Sequence, residues 1–182
     1  MTKNSTIKSI AAFTMAATCF AGAAHAKGGN ATPFGVEIGG SCTEAKAKLG
    51  PVKSGAVGND DTIHYATNPG AFFDGANSVN FRCDNDKVIL LAVETPKGHG
   101  NAVARDAYQT LTKLYKRVAG QQIPQVGDGH ARFVKGDSII ELAAPHMQHS
   151  FMLTYFTKDY YNAVVAGIIK ANEAKAATRS KL

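Results

Sequence analysis

The sequence has no apolar run long enough to span a membrane as a helix. The longest largely apolar run, Ile10–Phe20, has eleven residues, whereas a spanning helix needs about 20. It follows Lys3 and Lys8 and precedes Ala24-His25-Ala26, which fits the small-x-small rule for signal-peptide cleavage. We therefore expect residues 1–26 to be a cleavable signal peptide. The mature protein is then periplasmic or secreted, with no stable membrane anchor.

Cysteine is also scarce. Of the three cysteines, Cys19 lies in the predicted signal peptide, which leaves Cys42 and Cys83 in the mature chain. Two cysteines in an oxidising compartment predict one disulfide. Its closed loop of about 42 residues would contribute on the order of 4 kcal/mol of stability under the chain-entropy model. A free, reactive or metal-binding pair is the alternative, which is disfavoured because neither cysteine lies in a CxxC motif or next to a histidine in the sequence.

Motifs typical of enzymes are absent. The chain has no Gly-x-Ser-x-Gly, no HExxH, no phosphate-binding glycine loop and no RNP-like aromatic pattern. The five histidines that remain after cleavage are scattered, and each is interpreted as a surface or loop residue. Signal-peptide removal leaves 18 basic and 14 acidic residues, a dispersed excess too small to indicate nucleic-acid binding. We therefore expect a non-catalytic protein without a cofactor; the alternative, an undetected hydrolase, would need a pocket where His and Asp or Glu converge.

One short segment suggests a second alternative, a small-ligand or copper carrier. His146-Met147-Gln148-His149 offers imidazole and thioether groups, which suit copper. In extended backbone, residues three apart face opposite sides, so only a turn after Pro145 could bring His146 and His149 together. A metal site is therefore not the preferred prediction.

The periodicity of apolar residues predicts an α+β fold. Six consecutive apolar residues, Val88–Val93, indicate a central strand buried on both faces. Other segments predict hairpins, one of which turns at Asp84-Asn85-Asp86, and a last helix after Thr157. A further helix is predicted to end at Gly120, and its apolar stripe includes Leu111, Leu114 and Tyr115. The strand that contains Tyr155 is predicted to be buried on both sides. The predicted order, β-α-β-β-β-α-β-β-β-α, gives an antiparallel sheet with helices on one face. It is compatible with two fused α-β-β-β repeats.

The domain boundaries follow from the same patterns. We expect one α+β domain over residues 27–172, with half-repeats at about 34–98 and 99–172. Residues 173–182 lose the apolar periodicity and are predicted to be a loose basic tail.

Residues 34–38 alternate weakly and predict a short strand, and the rest of the segment Gly35–Gly50 has the signals of a glycine turn and a capped helix. Ser41 is a favourable N-cap, and Glu44 would complete a capping box with it. Gly50 can adopt the left-handed conformation that ends a helix, and Pro51 prevents continuation. These roles account for Ser41 without catalysis.

With Phe34 added, this segment resembles the opening of the SmpA/OmlA-type outer-membrane assembly lipoproteins. The doubled helix–sheet layout is similar to that of the β-lactamase inhibitor proteins. The resemblance implies protein binding through the sheet or its loops, without catalysis. The mature chain lacks the N-terminal cysteine through which the SmpA/OmlA type is lipid-anchored, and it shows no motif that matches an inhibitory loop.

Phe72 and Phe73 are the candidate partner-binding residues. They lie between two turn signals, Pro69-Gly70 and Asp74-Gly75. The pair is either a lid folded onto the core or an exposed anchor for a partner. The sequence thus predicts an exported protein that binds a protein or a cell-envelope component.

Overall fold

A computed structural model describes residues 29–57 and 61–179; the predicted signal peptide lies outside the described residues. Within these ranges, three α-helices and eight β-strands follow one another as α1 (Cys42–Leu49), β1 (Val52–Val57), β2 (Asp61–Ala66), β3 (Ser78–Asp84), β4 (Lys87–Pro96), α2 (Ala102–Leu114), β5 (Lys116–Gly120), β6 (Gly129–Lys135), β7 (Ser138–Ala144), β8 (Ser150–Thr157) and α3 (Lys158–Arg179). All described strands form one antiparallel sheet in the order β1-β2-β3-β4-β8-β7-β6-β5. The predicted α+β class is confirmed.

The element order differs from the predicted one at three places. Each half has one helix followed by four strands, and the halves join through β4 and β8. Residues 34–38 do not form the predicted strand, because Phe34 has a φ of 53° and lies in a short 3-10 turn, Pro33–Gly35. The additional strands are β1, which pairs with β2, and β5, which pairs with β6. Helix α2 ends at Leu114 because Tyr115 is extended, so the residues up to Gly120 pair with β6.

One face of the sheet carries the core. The pairing register places large apolar side chains opposite one another across five neighbouring strands. One row of this face consists of side chains at most 5% exposed: Phe81, Leu91, Tyr155, Ile140 and Phe133. Helix α2 lies on this face, with Tyr108 in contact with Phe133 at 5.9 Å between ring centroids. The six-residue apolar run is in β4, which is a central strand as predicted.

Helix α3 lies on the other face, in contrast to the prediction that all helices share one side. Phe156 contacts Tyr160 and Tyr161 of α3, at 6.4 and 5.5 Å between ring centroids. Since successive side chains of a strand point to opposite faces, Phe156 and Tyr155 are on opposite sides of the sheet. The helix also continues to Arg179, through most of the predicted loose tail. Alanine and lysine there have high helix propensity, so the helix persists although side chains 166–178 are exposed.

The start of α1 is held by a turn from another part of the chain. Ser41 Oγ accepts a hydrogen bond from the Glu44 amide at 3.4 Å, as the predicted N-cap requires. Among the described residues, the other side-chain hydrogen bonds at this helix start are made by the Asp86 carboxylate in the β3–β4 turn, and the predicted bond from the Glu44 carboxylate is not among them. Asp86 accepts from the Thr43 amide and hydroxyl and from the Ser41 hydroxyl, at 3.1–3.3 Å. The predicted disulfide between Cys42 and Cys83 is present and joins α1 to β3.

Candidate functional site

An apolar cleft of about 820 Å³ lies on the core face of the sheet, between the two halves. Its floor is strand β8, through Leu153 and Tyr155. One wall is helix α2 with Tyr115, and the other is formed by residues 32–35 and 71–73. Leu114 on the α2 wall is 48% exposed, which is unusual for a leucine beside a core. The volume lies within the range of ligand pockets, roughly 300–1,000 Å³.

Phe72 and Phe73 form part of the second wall. Both are half-buried and pack against the core. Phe72 contacts Phe34 at 6.0 Å, and Phe73 meets the Phe151 ring edge-on at 6.4 Å. The two phenylalanines thus have one side on the core and line the cleft with the other, a position that combines the two interpretations considered above. Their predicted role in partner binding stays a prediction.

A pair of tyrosines lines the cleft, Tyr115 in the α2 wall and Tyr155 in the floor. The Tyr115 and Tyr155 rings meet nearly edge to face, with centroids 6.4 Å apart. Burial and the neighbouring Tyr115 raise the pKa of Tyr155. Burial also raises the pKa of Tyr115. Both hydroxyls are therefore neutral at physiological pH, and they place a polar group in a cleft that is otherwise mostly apolar.

Charged groups lie beside the cleft. Lys48 Nζ donates to the carbonyl oxygen of Gly35, a cleft residue, at 2.7 Å. Lys135 Nζ is 5.9 Å from the centre of the Tyr115 ring. Asp106 is the acidic residue among those that line this cleft. Two ammonium groups therefore contact residues of the cleft, and one carboxylate lines it.

A second cluster lies under helix α1. The ligand atoms of Cys42, His64 and Cys83 are all within 4.8 Å of one another. His64 is 7% exposed, packs on Phe81 and has Ser54 Oγ 2.8 Å from its Nδ1. Burial, and to a smaller extent the positive charge of Lys46, lowers the pKa of His64. The interpretation of His64 as a surface or loop residue was wrong, because His64 lies in β2 and is buried beside the Cys42–Cys83 disulfide and Phe81.

The copper candidate lies in the exposed loop between β7 and β8. Met147 is 88% exposed, and His146 and His149 are exposed as well. The nearly buried Lys97 donates through Nζ to the carbonyl oxygens of Pro145 and His146. A fixed ammonium group beside the loop opposes a second cation. Copper binding at His146, Met147 and His149 stays a prediction without support from this geometry.

The contact most like a hydrolase pair is His130 with Glu141. His130 Nε2 is 3.5 Å from Glu141 Oε1. The same oxygen already accepts hydrogen bonds from Arg132 Nε at 2.8 Å and Tyr161 OH at 3.1 Å. These bonds join the Glu141 carboxylate to Tyr161 of α3 and to Arg132, so a structural role in holding α3 accounts for it without catalysis. Ser41, the other residue considered, is explained by its role as helix cap.

Comparisons with protein-family models, curated proteins and solved structures find no match to this chain. The resemblance to SmpA/OmlA-type lipoproteins and β-lactamase inhibitor proteins therefore stays a prediction. The disulfide is typical of proteins from oxidising compartments. Over residues 29–57 and 61–179, none of the helices has the length and apolar character needed to cross a membrane.

Sequence reasoning missed the cleft itself. Tyr115 was assigned to the apolar stripe of α2 and Tyr155 to a buried strand. Both assignments describe ordinary core residues. The available signal was the extra apolar length of the α2 stripe beyond Leu111. Leu114 lies at the end of that stripe, and in the described structure it lines the cleft and is 48% exposed.

Proposed function

We propose that this is an exported, non-catalytic binding protein that holds the acyl chain of an anionic lipid in the cleft between its two halves. The observation that carries the proposal is the apolar cleft of about 820 Å³ lined by Phe34, Phe72, Phe73 and Leu114. An acyl chain gains free energy in proportion to the apolar surface it removes from water, about 25 cal/mol per Å². A lipid is one kind of cell-envelope component, the broader class that the sequence suggested.

The floor of the cleft favours an acyl chain over an extended peptide. Strand β8 lies between β4 and β7, so its backbone groups are used in the sheet. A peptide strand needs a free sheet edge to satisfy its own amides and carbonyls. An acyl chain has no such groups, and it therefore fits the mostly apolar walls without a desolvation penalty.

The rim favours an anionic head group. Lys48 and Lys135 lie beside the cleft residues Gly35 and Tyr115. The Tyr115–Tyr155 hydroxyl pair can in addition donate to a carboxylate or phosphate oxygen. The ligand class is thus an amphiphile with one anionic end.

Equilibrium titration with a fluorescent long-chain fatty acid tests this proposal. The chain contains no tryptophan, so the emission of the probe can be read against tyrosine alone. We expect saturable binding of one probe per chain and weaker binding of its methyl ester, which lacks the charge. Phe72→Ala/Phe73→Ala should weaken binding about tenfold or more, because roughly 1.4 kcal/mol of lost apolar contact corresponds to a factor of ten.

Two further variants make the test specific to the cleft. Ala107 lines the cleft from α2, so Ala107→Phe should fill part of it and reduce binding. Phe156→Ala removes the same kind of side chain from the opposite face, where Phe156 contacts α3, and should leave binding unchanged. Absence of saturable binding, or equal binding by Ala107→Phe, would exclude the lipid site. If the phenylalanine variants instead lose a protein partner crosslinked in the cell envelope while lipid binding is absent, the cleft is a protein-binding surface.

A further inference from the structure

We infer that reduction of the Cys42–Cys83 disulfide creates a metal site, in which the two thiolates and the His64 imidazole bind a zinc ion. This inference concerns the space between α1 and β2–β3 and is independent of the lipid cleft. The sequence disfavoured metal binding because neither cysteine has a neighbouring histidine in the chain. The fold removes that objection by placing His64 against both sulfurs.

The size of the cluster matches a zinc coordination sphere. With Zn–S bonds of about 2.3 Å and Zn–N bonds of about 2.0–2.1 Å, tetrahedral geometry separates two sulfurs by about 3.8 Å and sulfur from nitrogen by about 3.6 Å. The three ligand atoms here already lie within 4.8 Å of one another. The Cα atoms of Cys42 and Cys83 are 6.0 Å apart, so side-chain rotation can open the sulfurs to that distance.

The surroundings of His64 suit a metal ligand. A metal-bound histidine usually donates its other ring N–H to a fixed acceptor, which sets the tautomer. Ser54 Oγ lies 2.8 Å from Nδ1 and can accept that bond, so we assign Nε2 as the ring nitrogen that binds the metal. The Phe81 ring beside His64, with centroids 4.9 Å apart, limits rotation of the imidazole. Ser54 and Phe81 would therefore be positioning residues.

The charges balance when both thiols are deprotonated. A dithiol reductant supplies two electrons and two protons, the S–S bond breaks, and the reductant leaves as its own disulfide. The metal then displaces one proton from each thiol, and two thiolates neutralise Zn²⁺. Lys46, the nearby cation, is exposed and can turn toward solvent. Three protein ligands leave the fourth position of the ion to water.

Cobalt titration of the mature protein tests the site, since Co²⁺ replaces Zn²⁺ and its absorption reports thiolate ligands. We expect the dithiol-reduced protein, freed of reductant without air, to bind one Co²⁺ per chain with thiolate charge-transfer bands. Added Zn²⁺ should abolish these bands. The disulfide form should show none. Zn²⁺ should also raise the melting temperature of the reduced protein and leave that of the oxidised protein unchanged, because it binds only the reduced native state.

Variants separate this site from other ligands. His64→Ala should weaken Co²⁺ binding at least tenfold, whereas His130→Ala, the same deletion in the other half of the sheet, should have no effect. Ser54→Ala keeps all three ligands and should weaken binding by a smaller factor, which covers the case in which His64→Ala fails to fold. The inference is overturned if reduced wild-type protein binds no Co²⁺, if the disulfide form binds it equally, or if His64→Ala and Ser54→Ala bind as tightly as wild type.

Discussion

Removal of the disulfide should destabilise the protein by an amount that its loop length sets. Cys42 and Cys83 are 41 residues apart in the sequence. In the chain-entropy model a loop of this size restricts the unfolded chain by about 4 kcal/mol at 25 °C. Cys42 is also buried, at 4% exposure, so Cys42→Ala leaves a small cavity that adds about 1 kcal/mol. The double variant Cys42→Ala/Cys83→Ala should therefore lose about 4–5 kcal/mol of unfolding free energy.

Equilibrium unfolding in urea measures this loss directly. The wild type is kept oxidised and a chelator is present, so that metal binding does not contribute. The variant should show a lower midpoint and a larger dependence on urea, because its unfolded chain exposes more surface. In a thermal melt the shift should be about 8–20 °C, at 2–4 °C per kcal/mol for a domain of this size.

A stability difference below about 1 kcal/mol would refute the entropic reasoning. It would mean that the unfolded chain is already compact around residues 42–83 without the crosslink. Mass spectrometry of the mature protein gives an independent check, since the disulfide predicts no free thiol. Two free thiols in protein isolated from an oxidising compartment would contradict the crosslink itself.

Three smaller perturbations test other parts of the structure. Asp86→Ala should cost about 1–2 kcal/mol in urea unfolding because the carboxylate caps α1, whereas Asp84→Ala, which loses one bond to a neighbouring side chain, should cost less than about 0.5 kcal/mol. Gly120→Ala should lower the unfolding free energy by about 3 kcal/mol or more, because φ is 76° and the added Cβ would lie 2.2 Å from the His130 carbonyl oxygen. Gly127 also has a positive φ but has open space around it, so Gly127→Ala should cost only about 1 kcal/mol. Burial raises the pKa of Tyr155, so the folded state keeps this proton to higher pH than the unfolded chain does, and the unfolding free energy should decline as pH rises above about 10, where the unfolded tyrosine ionises. Tyr155→Phe should flatten that decline in unfolding measured across alkaline pH.

Each comparison has a contrary outcome. Equal losses for the two aspartate variants would remove Asp86 from the helix cap. Equal losses for the two glycine variants would attribute the effect to backbone conformation alone. An unchanged alkaline profile in Tyr155→Phe would assign the pH dependence to other tyrosines.

Local features of the fold could be predicted from the sequence. The Ser41 cap and the β3–β4 hairpin depend on residues within a few positions of each other. The disulfide could be predicted because the expected removal of residues 1–26 would leave Cys42 and Cys83 as the two cysteines. Strand β5 could not, since Lys116–Gly120 continues a helical pattern and its pairing with β6 is decided by tertiary structure.

The candidate sites depend on contacts between distant parts of the chain. Phe34, Phe72, Leu111 and Tyr155 are each ordinary apolar residues, and only the sheet order makes them line one cleft. Asp86 was interpreted as a turn residue, since nothing near it in sequence indicates a helix end. His64 lies on an alternating strand whose covered face the sequence did not identify. In these cases the missing information was the pairing of elements rather than the type of element.

The sheet order has a consequence for how the chain assembles. Every other strand pair joins neighbours in the sequence, whereas β4 and β8 pair across the whole second half. During synthesis the N-terminal residues emerge first, so α1 to β4, which contain both cysteines of the disulfide, can form before the rest is present. The β4–β8 pairing closes the largest loop and should therefore form last. The cleft has its floor on β8, so the proposed lipid binding should appear only after this last pairing step and would report that folding is complete.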